Sequence, residues 1–187
     1  MSILFATCFV IVAIGIAVLY LCKGQLSPLP ELTQDAFINL SQLKESTKEV
    51  KVILINPFES RVIGLTKDSF YGEEDFGKSG DCTFILRQPS QISKIYEILR
   101  RASLHANPAS DRRYEPSEVI FIRLKNGELE KFFFERHYSN VEWTTGEYNN
   151  TPTLASTLLI KDLYEWAATA YPSSPCVVYL DAARRSM

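Results

Sequence analysis

The sequence predicts an α+β protein: one N-terminal transmembrane helix followed by a single domain with a mostly antiparallel β-sheet and two packed helices. Three observations carry this prediction. Residues 2–22 read SILFATCFVIVAIGIAVLYLC without a single charge. From Glu49 onward, short runs rich in β-branched and aromatic residues alternate with turn residues. Two stretches, beginning near Ser90 and Leu154, repeat apolar residues at three- and four-residue intervals.

At 1.5 Å per residue, about 21 apolar positions give a helix of about 31 Å, the hydrocarbon thickness of a bilayer. A cleaved secretory signal would begin with basic residues, be shorter, and end in small residues. This run closes instead with Tyr20, Leu21 and Cys22. Ser2 occupies the position where N-myristoylation requires glycine. Residues 1–22 are therefore read as an uncleaved single-pass anchor, 23–48 as a proline-containing tether with a short juxtamembrane helix, and 49–187 as the globular domain. Lys23 is the one basic residue beside the span, so the positive-inside rule hardly orients it. Short N-terminal anchors commonly export the domain behind them, and this one is expected to be extracytoplasmic.

The tether KGQLSPLPE holds two prolines and a glycine, and is expected to be extended. Thr33 would cap a short helix over 34–46 with a thin stripe of Phe37, Leu40 and Leu43. EVKVILIN and RVIGLTK read as strands on either side of Asn56-Pro57. The acidic stretch DSFYGEEDFGKSGD, 68–81, has neither period and reads as a long mobile loop before the strand CTFILR. Ser90 caps the next helix, whose face is Ile92, Ile95, Leu99 and Ala102 and whose end lies near His105. EVIFIRLK-NG-ELEKFFFERHY reads as a hairpin with a two-residue type I′ turn at Asn126-Gly127. That turn would set Lys125 opposite Glu128, Arg123 opposite Glu130, Phe121 opposite Phe132 and Val119 opposite Phe134. Both hairpin faces are apolar toward the base. One would carry the helices, and the other needs a second layer, a partner or lipid. The final helix spans 154–170, and CVVYL comes after it as a last strand.

The charge balance, 20 basic against 22 acidic residues, provides no footprint for nucleic acid. Of the four cysteines, Cys8 and Cys22 belong to the span. Cys82 and Cys176 would form a disulfide if the domain faces an oxidising compartment, or else remain two buried thiols. No metal and no cofactor is expected, since no motif for a phosphate loop, dinucleotide or metal knuckle occurs. Glu135 and His137, with Tyr138 beside them, share one side of an extended strand and could form an acid–base or ligand pair; the simpler reading is strand-end surface.

The predicted function is a membrane-tethered, non-enzymatic interaction module: an accessory subunit, assembly factor or inhibitor of a membrane or envelope protein. Its partners would be the lipid bilayer and a protein. The binding surface would involve the hairpin residues Phe121, Phe132 and Phe134 with Trp143 and Tyr148 from the loop SNVEWTTGEYNNTP. As a strand, VEWTT would instead turn Trp143 inward and leave Tyr148 exposed. The alternative function is a small ligand-binding or hydrolytic domain built on Glu135 and His137.

Overall fold

The computed structural model describes residues 37–55, 65–70, 72–77, 82–107, 114–135 and 142–176, together with Val178 and Ala182. The expected anchor, the tether to Glu31 and most of RVIGLTK lie outside the described residues. Among the described residues, no helix is long and apolar enough to cross a membrane. The described part is α+β, with three helices and seven antiparallel strands: α1 (Leu40–Ser46), β1 (Thr47–Leu54), β2 (Thr83–Leu86), α2 (Pro89–Arg101), β3 (His105–Ala106), β4 (Pro116–Leu124), β5 (Leu129–Glu135), β6 (Trp143–Tyr148), β7 (Thr151–Ser156) and α3 (Leu158–Ala170). The strand order is β2-β1-β4-β5-β6-β7-β3.

The side chains that alternate along the central strands sort into two cores, one on each face of the sheet. The larger core lies under the helices. It takes Val50, Val52, Ile120, Ile122, Phe132 and Phe134 from the sheet, Ile95 and Leu99 from α2, and Leu159, Leu163 and Tyr164 from α3. Burying one such aliphatic or aromatic side chain stabilises the fold by roughly 1.5–3 kcal/mol. On the other face, Ile53, Val119, Phe121 and Phe133 pack against Phe70 and Phe76. These two rings come from the acidic stretch, whose described residues, with Lys67 before them, lie over the sheet as a strap: a 3-10 turn, Lys67–Phe70, and turns within 72–77. The second layer demanded by the two-faced hairpin is thus supplied by the chain itself, not by a mobile loop.

The β4–β5 hairpin forms with a register one residue away from the predicted one. Arg123 pairs with Leu129, Phe121 with Lys131, Ile120 with Phe132 and Val119 with Phe133. The cause is the turn. Gly127 N donates to Leu124 O at 3.0 Å, and Leu124 N donates to Glu128 O at 2.9 Å. Only Gly127, at φ +94°, is left-handed. This is the three-residue loop with a terminal glycine bulge, whereas type I′ needs positive φ at both central residues. The type I′ signature occurs instead between β6 and β7, where Asn149 (φ 46°) and Asn150 (φ 68°) join the paired Tyr148 and Thr151.

Other boundaries shift for local reasons. α1 is capped by Asn39, whose Oδ1 accepts from Gln42 N at 3.0 Å, and Ile38 and Leu43 are buried in the larger core. α2 has Gln88 at its N-cap with no side-chain cap bond, and Pro89 opens the helix. It ends at Arg101, and His105 belongs to β3. The segment Thr151–Ser156 pairs with β6, which delays α3 to Leu158. The last strand is not formed where described: Cys176 lies in a turn, and Val178 is helical and 80% exposed.

Candidate interaction site

β1 carries Glu49 and Lys51 on the strap side of the sheet, two apart, with Val50 between them and Val52, Ile53 and Leu54 after them. Pairing across β1 and β4 sets Arg123 beside Glu49 and Phe121 beside Lys51, and β5 adds Lys131 beside Phe121. Arg87 follows β2 at the same level as Glu49. The buried Glu49 carboxylate holds both guanidiniums: Arg87 Nε at 2.9 Å and Arg123 Nη1 at 3.4 Å.

These cations grip the strap. Lys51, with no exposed surface, donates to Glu73 O at 2.7 Å, Glu73 Oε2 at 2.9 Å and Asp75 O at 3.2 Å. Arg123 Nη2 donates to Glu74 O at 3.2 Å, and Arg87 Nη2 to Phe76 O at 3.4 Å. Four successive carbonyls, 73 to 76, are therefore each met by a cationic side chain. Lys131 binds the Glu74 carboxylate at 2.6 Å, and the Arg123 guanidinium lies 4.3 Å over the Phe76 ring. Lys67 fixes the strap's other end to Glu147 of β6 at 2.7 Å. An ammonium buried without partners would cost several kcal/mol, so the strap's oxygens are what allow Lys51 to sit at zero exposure.

A second concave feature lies between the two long helices. A groove of about 500 Å³ is lined by Lys94, Glu97 and Ile98 of α2 and by Asp162, Glu165 and Trp166 of α3. Arg101 of α2 reaches Asp162 of α3 at 3.3 Å, and Lys94 pairs with Glu97 at 2.9 Å along α2. Charges of both signs thus rim a floor that contains Ile98 and Trp166.

The residues singled out from sequence do not form one surface. Phe121, Phe132 and Phe134 have no exposed surface, and they divide between the two cores because alternate residues face opposite sides. Tyr148 is half-buried. It stacks on Phe132 with ring centroids 4.6 Å apart, meets Phe37 edge-on, and donates its hydroxyl to Glu130 Oε2. Burial and the adjoining Glu130 carboxylate push the Tyr148 hydroxyl far above its ordinary pKa. Trp143 is the exposed one, at 43%, with the His105 ring 5.6 Å away. The expected inward Trp143 and outward Tyr148 are thus reversed, since these odd- and even-numbered β6 residues face opposite sides. Glu135 is buried at the end of β5, and its carbonyl accepts from Thr144 Oγ1 at 2.9 Å. His137 and Tyr138 lie outside the described residues. Cys82 and Cys176 are both buried and unbridged, and Ser174 Oγ lies 3.0 Å from Cys176 Sγ. Of the two readings left open for these cysteines, the structure has the two thiols packed in the larger core. Among the described residues, no group of three or more acidic, cysteine or histidine side chains is placed to hold a metal.

Sequence reasoning missed the cationic row. Its signal was present as Glu49 and Lys51 at strand period in EVKVILIN, charges on a strand too apolar to lie on a surface, with an acidic stretch downstream to match them. No family model, curated protein or solved structure matches the chain.

Proposed function

We propose that the chain is a membrane-tethered, non-enzymatic interaction module, an accessory subunit, assembly factor or inhibitor that meets a protein partner at the groove between α2 and α3. The groove carries the reading. It offers about 500 Å³ over Ile98 and Trp166, and its polar rim mixes acidic and basic groups. Buried aromatic floors with polar rims are the usual anatomy of protein contact sites. The anchor supports the other half of the reading through its length and lack of charge.

A photo-crosslinking residue at Gln91, on the groove, should trap a defined partner in intact membranes, and the same residue at the exposed hairpin tip, Glu128, should not. Trp166→Ala should abolish the Gln91 adduct. Equal adducts from both positions, or recovery of only the bare monomer under gentle detergent extraction, would refute the groove.

A further inference from the structure

We propose that residues 72–77 are a displaceable internal ligand, and that the cationic row beneath them binds an acidic–aromatic segment of a partner protein in their place. This rests on the reading of the chain as an interaction module, but uses the opposite face of the sheet from the groove.

Three observations lead there. First, the grip is generic: Lys51, Arg123 and Arg87 hold the carbonyls of four successive residues, Lys51 and Lys131 hold two carboxylates, and Arg123 covers one aromatic ring. Any chain presenting two acidic residues followed closely by an aromatic one provides the same groups. Second, the strap adds no rung to the sheet. Among the described residues its main-chain hydrogen bonds are local turns, Ser69 to Thr66, Glu73 to Phe70 and Asp75 to Gly72. It can therefore lift while the seven-stranded ladder stays whole. Third, the outer grips are half-exposed, with Glu73 and Glu74 each about two-fifths accessible and Lys131 nearly as open, so an entering carboxylate meets Lys131 first and reaches the covered Lys51 once Glu73 has left.

Beneath the strap lie Val119, Phe121 and Phe133, an apolar floor framed by four cations. Leaving this floor and Lys51 bare is unfavourable, which makes the event an exchange of one segment for another. Because the strap is tied to the site at both ends, its effective concentration is millimolar, and a free segment competes poorly until the strap is weakened.

The test uses the full chain in phosphatidylcholine nanodiscs and a fluorescein-labelled peptide copying residues 72–77, GEEDFG. Glu73→Gln with Glu74→Gln removes two strap carboxylates and leaves its apolar packing in place. That variant should bind the peptide at least tenfold more tightly than the parent chain. Adding Lys131→Ala should remove most of the gain, and the neutral peptide GQQNFG should bind neither form. Phe76→Ala provides an independent weakening of the strap and should also raise affinity, with far-UV circular dichroism reporting whether it folds. Equal peptide affinity in parent and carboxamide variant, binding indifferent to Lys131, or a preference for phosphatidylserine vesicles over the peptide would each overturn the proposal. The groove crosslink from Gln91 is read separately, so either surface can fail alone.

Discussion

Gly146 offers a stringent test of the sheet. It lies within β6 opposite Phe134, and a Cβ built on it would stand 2.5 Å from Phe133 O and 2.6 Å from Phe134 Cδ1. Comfortable carbon–oxygen contact begins near 3.3 Å, so Gly146→Ala demands that a backbone carbonyl of the central β5 retreat by about 0.8 Å. The ring of Phe134 could turn aside, but the carbonyl cannot without disturbing the ladder on both sides. Overpacking of this kind costs about 1–3 kcal/mol. Alanine returns about 0.5–1 kcal/mol through the lower entropy of the unfolded chain. With a backbone obstacle the upper end applies, leaving a net loss of about 2 kcal/mol, or about 4–8 °C in Tm for a domain of this size. The assay is urea unfolding of the full chain in detergent micelles, followed by tryptophan fluorescence. Two other glycines calibrate it. Gly77→Ala meets only the Asp75 carboxylate at 3.2 Å, a side-chain tip that can swing, and should stay within about 0.5 kcal/mol of the parent. Gly127→Ala has open space around it but sits at φ +94°, and should lose about 1–2 kcal/mol through backbone strain. A Gly146→Ala variant as stable as the parent would refute the close approach of β5 and β6.

Three further outcomes rest on the same packing. Asn150→Val places a β-branched residue at φ 68° in the type I′ turn and should cost about 1–2 kcal/mol, whereas Asn150→Gly should leave the melting temperature unchanged or raised. Burial pushes the Tyr96 hydroxyl up to about 12, partly offset by its 2.6 Å bond to Thr47. The folded chain therefore keeps a proton that the unfolded chain releases near pH 10. The stabilisation is present below pH 10 and lost as pH rises toward 12, with a slope of about 1.4 kcal/mol per pH unit from this group. Tyr96→Phe should flatten part of that alkaline decline in a series of urea melts. Finally, the buried, unbridged Cys82 and Cys176 should resist a thiol reagent until urea is added, and reductant should leave Tm unchanged.

Periodicity made α2 legible, because Ile92, Ile95 and Leu99 fall on its buried face with Tyr96 and Ile98 beside them, and proline fixes its start. The β4–β5 pairing was legible as an alternation of apolar residues, but its register was not. Asn-Gly serves both a two-residue and a three-residue loop, and only the tertiary need to put Phe132 under the helices and Phe133 under the strap decides between them. Local sequence also favoured starting the last helix at Leu154; pairing with β6 overrode it. The candidate site was hidden for a related reason. Arg123 and Lys131 look like solvated charges when read one strand at a time, and Lys51, odd on so apolar a strand, names no partner by itself. Their convergence depends on β1, β4 and β5 lying side by side, which no local period reports.

The two outermost strands hang from the two ends of one helix. β2 stops at Leu86 and α2 begins at Pro89; α2 stops at Arg101 and β3 begins at His105, on the opposite edge of the sheet. The helix spans about 20 Å, while the sheet measures about 29 Å from its first strand to its last. α2 is thus a strut laid across most of the width, with a short link at either end. Peeling one margin would lever the other through a rigid rod. Hydrogen exchange at β2 and β3, the farthest-separated strands, should therefore rise together, and the domain should lose its two margins as a single event.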